Sequence, residues 1–190
     1  MTPPTEKFWS TGELGTLTSA VAATAPQAGT TRVVAVDGPS GSGKSTLAQE
    51  LSHVMADAPV VRMDDLYPGW DGLDDAAPRL REWVLDPLSR GEPARYRRFD
   101  WVADRYAEWH EVAPAPVVIV EGCASGARTC GPWLSLIIWV EAAAHVRMAR
   151  GVDRDGDEYR PHWQRWAAQE TVHFAREGTR DRADVRLTTG

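Results

Sequence analysis

The residues with the clearest chemical capacity lie in Gly38-Pro-Ser-Gly-Ser-Gly43-Lys44-Ser45. The run fits G-x-x-x-x-G-K-[ST], follows an apolar stretch and opens a helical pattern, the context this spacing requires. Gly38, Gly41 and Gly43 let the main chain wrap inward, so that the amides of this run, Ser40 and Ser42 included, converge on one anion. The helix that follows adds the partial positive charge of its N-terminus. Lys44 reaches the β- and γ-phosphates as a point charge. Ser45 offers a hydroxyl to Mg²⁺, which prefers oxygen ligands, and Thr46 caps the helix or touches the α-phosphate. The alternative is a glycine- and serine-rich turn. A nucleoside triphosphate held by main chain is the reading that accounts for every residue type.

Three further groups bear on what becomes of that phosphate. Glu121 ends the apolar run Val117-Val-Ile-Val and can hold Mg²⁺ or its water, or else cap a neighbouring helix. Asp64 and Asp65 follow a second apolar run and can supply a base for an acceptor hydroxyl, or cap a turn. Arg147, Arg150 and Arg154 recur at spacings of three and four, hence on one helix face. Together they suit closure over transferring phosphates; alternatively Arg147 and Arg150 form surface pairs with Glu141 or Asp153.

Such groups need elements to hold them on one edge. Short runs rich in Val and Ile occupy 32–36, 59–63, 117–121, 136–140 and 185–187. None alternates cleanly, which is how strands buried on both faces of a parallel sheet read. Helical spacing falls between them, at 44–56, 78–88, 101–110, 142–152 and 161–177, with a short helix over 11–24 carrying Leu14, Leu17 and Val21. Residues 1–10 read as loosely ordered. Alternating strands and helices predict one α/β P-loop domain, a mostly parallel five-stranded sheet with helices on both faces. Right-handed crossovers then gather the strand C-terminal ends where ligands bind.

The composition fits this reading. The 190 residues are 43% hydrophobic and 25% charged, and the net charge of -6 predicts no broad nucleic-acid or anionic-membrane surface. No apolar run approaches the roughly 20 residues of a membrane span, and the first residues lack a secretory pattern, so the cytoplasm is the expected compartment. Cys123 and Cys130 read as buried thiols. The nine tryptophans read mostly as core. His53, His145, His162 and His173 read as surface or packing residues.

Beyond these derivations, the chain resembles the uridine kinase branch of P-loop kinases, itself similar to phosphoribulokinases and pantothenate kinases. "GPSGSGKST" resembles the phosphate loop of that branch. "RMDDLY" is similar to the strand-end segment that carries its catalytic base, which falls on Asp64, with Tyr67 beside the acceptor. "VVIVEG" resembles the strand whose glutamate binds metal, here Glu121. "HVRMARGVDRD" looks like its arginine-bearing lid, which puts Arg147, Arg150 and Arg154 near phosphate; "ADVRL" resembles the last strand. The resemblance implies ATP and Mg²⁺ and a small-molecule acceptor, nucleosides first. Tyr96-Arg97-Arg98-Phe99-Asp100-Trp101 departs from the branch. Tyr96 matches its tyrosine, but no histidine follows at the usual spacing, and the lid ends differently. Phosphoryl transfer is therefore better supported than uridine. The region 66–110 mixes tryptophans, tyrosines and arginines, and Tyr96, Arg98 and Trp101 are its candidate contacts to a flat or anionic acceptor. A sugar, a pantothenate-like acid or a natural product are rival acceptors; a nucleotide-gated switch is a rival of another class.

Overall fold

A computed structural model describes residues 9–156 and 160–190, with the side chains of Arg154, Asp155, Arg160 and Pro161 left outside the description. Five parallel strands form one sheet in the order β2-β5-β1-β6-β7. They are β1 (Arg32–Asp37), β2 (Val60–Arg62), β5 (Val117–Glu121), β6 (Leu134–Glu141) and β7 (Val185–Thr188). Two more strands, β3 (Ala94–Asp100) and β4 (Arg105–Val112), form a separate antiparallel hairpin.

The unbroken apolar character of the strands follows from burial on both sides. Val34, Val36, Ile119, Ile138 and Val140 face Leu14, Leu17 and Val21 of α1 (Thr11–Ala23) and Leu47, Ala48 and Leu51 of α2 (Lys44–Val54). Val33, Ala35, Val118, Val120 and Ile137 face the opposite layer. That layer holds Leu73, Ala76 and Leu80 of α3 (Leu73–Leu80), Val84 and Leu85 of a wider π-type turn, Leu88 of α4 (Asp86–Ser89) and Trp166 of α6 (Arg160–Glu177). Each fully buried Leu, Ile or Val on these faces contributes about 1.5–3 kcal/mol by leaving water. The central strand β1 is paired on both sides, with β5 and β6. The loop leaving it is thereby fixed on the edge where all five strands end.

Three expectations are corrected. Residues 101–110 are not a helix: they turn and return as β4, with Arg97 opposite Trp109 and Phe99 opposite Tyr106. The Asp100 carboxylate accepts the amides of Val102 and Ala103, a side-chain turn that reverses the chain, and the aromatic run after it favours a strand. The helix expected from Pro78 starts earlier, at Leu73, with Asp74 and Asp75 in its first turn and Pro78 inside it. Residues 1–10 are not loose throughout. Trp9 is buried, and Ser10 caps α1 in a reciprocal bond with Glu13, while residues 1–8 lie outside the described residues.

Candidate active site

The turn between β1 and α2 has its shape imposed by close backbone contacts. Gly38 (φ 140°) passes so near β6 that a Cβ there would lie 2.0 Å from the Val140 carbonyl oxygen. Gly41 (φ 76°) would meet the Arg147 carbonyl oxygen at 2.4 Å. Neither position admits a side chain, and both φ values are ones that glycine adopts without strain. Ser40, Gly41, Gly43, Lys44, Ser45 and Thr46 line one end of a cavity of about 760 Å³. Gly38 and Ser42 are buried beneath them. The Ser42 carbonyl accepts the Thr189 hydroxyl at 2.9 Å, so the residue after β7 braces the loop from behind.

The charges gather around this turn. Lys44 is 7% exposed and its Nζ donates to the Pro39 carbonyl at 3.0 Å. Burial alone would lower its pKa, but Cys123, Glu170, Glu121 and Asp37 around it outweigh that and hold it above the usual lysine value. Ser45 Oγ donates to Glu121 Oε2 at 3.2 Å. Burial, and then the adjacent Asp64 carboxylate, push Glu121 up to about 7. A hydroxyl and a carboxylate held against each other are the hard oxygen donors that Mg²⁺ takes. Among the described residues no group of three or more His, Cys, Asp or Glu gathers as a metal cage. Ser45 and Glu121 fit an ion that draws its other ligands from phosphate and water.

Asp64 sits in the single turn Met63–Asp65 that leaves β2, exposed, and lines the same cavity. The hairpin holds that turn in place. Trp101 Nε1 donates to the Asp64 carbonyl at 3.1 Å and Tyr106 Oη to the Leu66 carbonyl at 2.8 Å. Tyr67, fully packed, donates to the Cys123 carbonyl at 2.8 Å and presents its ring to the cavity. Trp101 lines the cavity as well. Tyr96 lies behind, stacked on His110 at 5.4 Å, its phenol pushed up to about 12 by burial and the neighbouring Asp65. Arg98 points along the hairpin, 2.5 Å from Glu108, and does not line the cavity.

Arg147 and Arg150, on α5 (Ala144–Asp155), bind the phosphate loop itself. Arg147 Nη1 donates to the Ser40 carbonyl at 3.1 Å, and Arg150 Nη1 to the Gly41 carbonyl at 3.4 Å and to the Thr189 hydroxyl, which braces the loop, at 2.8 Å. Glu141 is paired elsewhere, with Arg180 at 2.8 Å. The Arg154 side chain lies outside the described residues.

Two acids of this region escaped the sequence reading. Asp37, at the end of β1, accepts the amides of Gly38 at 2.7 Å, Ala124 at 3.1 Å and Gly126 at 2.9 Å, tying the phosphate loop to the loop after β5. Burial pushes its carboxyl up to about 6. Glu170 is 3% exposed; its Oε1 accepts the Ser40 amide at 2.6 Å and the Cys123 thiol at 3.1 Å, and its Oε2 lies 3.7 Å from Arg147. The signal for Glu170 was present. Trp163, Trp166, Glu170 and His173 recur at three, four and three residues, and all four are buried, so a carboxylate stands in an apolar helix stripe. Cys123 and Cys130 are free and buried as expected. His162, expected at the surface or in packing, packs on Trp70 and also lines the cavity.

No protein-family model matches the chain. Among curated proteins it is 27% identical over 134 residues to inorganic pyrophosphatase TTM2 of Arabidopsis thaliana and 28% identical over 134 residues to TTM1 of the same plant. The match takes in 65% of this chain but 20% of each relative, so the chain spans about a fifth of their length. Among solved structures, one described as a possible uridine kinase from Bacillus stearothermophilus superposes with a TM-score of 0.66 at 19% identity, covering 92% of this chain and 96% of that one. A second, provisionally described as a fructose transport system kinase from Silicibacter sp. TM1040, gives a TM-score of 0.60 at 24% identity, covering 93% and 98%. The chain therefore has the α/β fold of the uridine kinase-like P-loop kinases.

Proposed function

We propose that the chain is an ATP- and Mg²⁺-dependent phosphotransferase that moves the γ-phosphoryl group onto a hydroxyl of a small molecule, a nucleoside being the first candidate. One observation carries this reading. The phosphate loop with Lys44, the Ser45–Glu121 pair and the exposed Asp64 carboxylate all line a single cavity, whose far wall is aromatic. Lys44 and the loop amides other than those bound to Asp37, Glu170 and Pro39 hold the triphosphate. Asp64 takes the proton of the acceptor hydroxyl as its oxygen bonds to the γ-phosphorus and the bond to the β-γ bridging oxygen breaks, leaving ADP. Lys44, with Arg147 and Arg150 beside the loop, balances charge on the transferring oxygens. Ser45 and Glu121 would hold Mg²⁺, which would supply further positive charge to the transfer. Among the described residues no helix is long and apolar enough to cross a membrane.

The test is the purified chain with ATP, Mg²⁺ and pools of nucleosides, sugars, pantothenate-like acids and natural-product alcohols, read by mass spectrometry for a gain of one phosphoryl group. Transfer to one pool identifies the acceptor class; no transfer to any pool overturns the reading. The likeness to proteins named as inorganic pyrophosphatases favours a second reading, in which water takes the acceptor's place. Phosphate release at full rate with no acceptor present would support it.

A further inference from the structure

Resting on the phosphotransferase reading for what the loop receives, we propose that Glu170 is a positioning residue. Paired with Arg147, it clamps Ser40 and so holds the phosphate loop in the shape that takes a nucleoside triphosphate.

Charge alone argues against an acid in this place. A carboxylate buried beneath a loop that receives a triphosphate repels that ligand, and its own burial is costly unless it is paired. Glu170 is nonetheless 3% exposed. It does not line the cavity, so it acts on a ligand through what it holds. Its Oε1 accepts the Ser40 amide at 2.6 Å, and its Oε2 lies 3.7 Å from Arg147 Nη1. The same Arg147 nitrogen donates to the Ser40 carbonyl at 3.1 Å. One residue of the loop thus has both of its main-chain polar groups taken by charged side chains, and those side chains form an ion pair with each other.

Ser40 is where such a clamp has most effect. It lines the cavity, with Gly38 shortly before it and Gly41 directly after it. Glycines leave the chain many conformations, and ordering them when a ligand binds costs affinity. A clamp between the two removes that cost before the ligand arrives. The clamp is itself anchored. Trp163 lies two helical turns before Glu170 on the same face of α6, and its ring centre is 5.4 Å from the Arg147 guanidinium. Gln169 Nε2 donates to the Trp70 carbonyl at 2.7 Å, and Arg176 Nη2 to Asp74 at 2.7 Å, which ties α6 to the segment after β2.

Calorimetry of Mg·ATP binding to the full chain tests this, with the melting temperature of each variant read alongside. Glu170→Gln keeps the size and an oxygen for the Ser40 amide but removes the charge facing Arg147. It should weaken Mg·ATP binding about 10-fold, the usual margin of a charged over a neutral hydrogen bond. Arg147→Met should weaken it as well. Adding Glu170→Gln to Arg147→Met should cost less than about twofold more, because the pair works as one unit. Unchanged or tighter binding by Glu170→Gln would overturn the proposal, since the carboxylate would then contribute repulsion or nothing. Losses that simply multiply in the double variant would overturn it too. Should Glu170→Gln not fold, Glu170→Asp replaces it in the same cycle. Its side chain is too short to span Ser40 and Arg147 together, so a loss of about 3-fold or more is expected, and no loss overturns the proposal. If neither variant folds, Glu170 serves folding alone and the proposal falls. A parent chain that does not bind Mg·ATP would sink the phosphotransferase reading and this proposal together. The expected pattern without any phosphoryl transfer would sink that reading and leave the clamp standing.

Discussion

At the end of the cavity proposed to hold phosphate, the main chain is fixed from several sides. Gly38 and Gly41 are pressed against the carbonyls of Val140 and Arg147, and Asp37, Glu170 and Thr189 bind the loop from beneath. At the acceptor end the surface is side chain. Trp70, Trp101 and Trp166 stand on three separate stretches of sequence, the loop after β2, the hairpin turn and α6, and meet only in the folded molecule. On the proposed function, a group common to all nucleoside triphosphates would be met by atoms that every residue has, and a group that differs between acceptors by atoms that substitution changes.

The largest effect should fall where the two ends meet. Asp64→Asn should lower kcat by about 10²–10⁴ while leaving the melting temperature near that of the parent, since Asp64 is exposed. Parent-like turnover would remove it as the base. Lys44→Ala should cost about 10²–10³ in kcat, read in the same assay; a change confined to the KM of the acceptor would mean that Lys44 serves the wrong end. Gly41→Ala tests the main-chain character of the phosphate end. Its Cβ cannot fit against Arg147, so Mg·ATP affinity should fall about 100-fold by calorimetry, whereas an affinity within a few-fold of the parent would show the cradle to be tolerant.

A subtler contrast lies in pH. The folded-state values of Asp37 and Glu121, about 6 and about 7, stand above the 3.8 and 4.5 of unperturbed carboxyls. The folded chain therefore keeps protons that the unfolded chain releases, and stability should fall as pH rises from about 4 to 7, then level off. Asp74 and Glu141, held at about 2 chiefly by bonds from Arg176 and Arg180, work in the opposite sense, and their contribution is lost as pH falls from about 4 to 2. Urea midpoints across pH 4–8 should show the decline, and Asp37→Asn should flatten its lower part; an unchanged slope would refute the assignment. Arg98→Ala should do least, changing turnover by about twofold or less, because the side chain pairs with Glu108 outside the cavity. A large loss in acceptor KM would restore Arg98 to the acceptor site.

Legibility in the sequence followed the same division. The phosphate loop could be read because glycine spacing and an adjoining Lys-Ser encode a backbone shape locally. The central strands β1, β5 and β6 could be read because burial on both faces leaves unbroken apolar runs, whereas the edge strands β2 and β7 are only part-buried. Trp109 and His110 were misread because helical spacing and strand alternation coincide over so few residues, and the deciding cue, the Asp100 carboxylate closing a turn, is a single side chain. Glu170 was missed although a local cue marked it as a carboxylate in an apolar helix stripe; what the cue could not give is its partner, the Ser40 amide, 130 positions away. The Trp70 partner of His162 is likewise distant in sequence, and no local pattern carries that distance.

The wedged glycines have a consequence for how such a protein can diversify. Any exchange at Gly38 or Gly41 spoils the socket for every nucleotide at once, so that half of the machine is closed to tinkering. The indoles are different. They can be traded one at a time on a frame that keeps its shape, so that, if the proposed transfer holds, a descendant of this chain could take a new alcohol without rebuilding the loop.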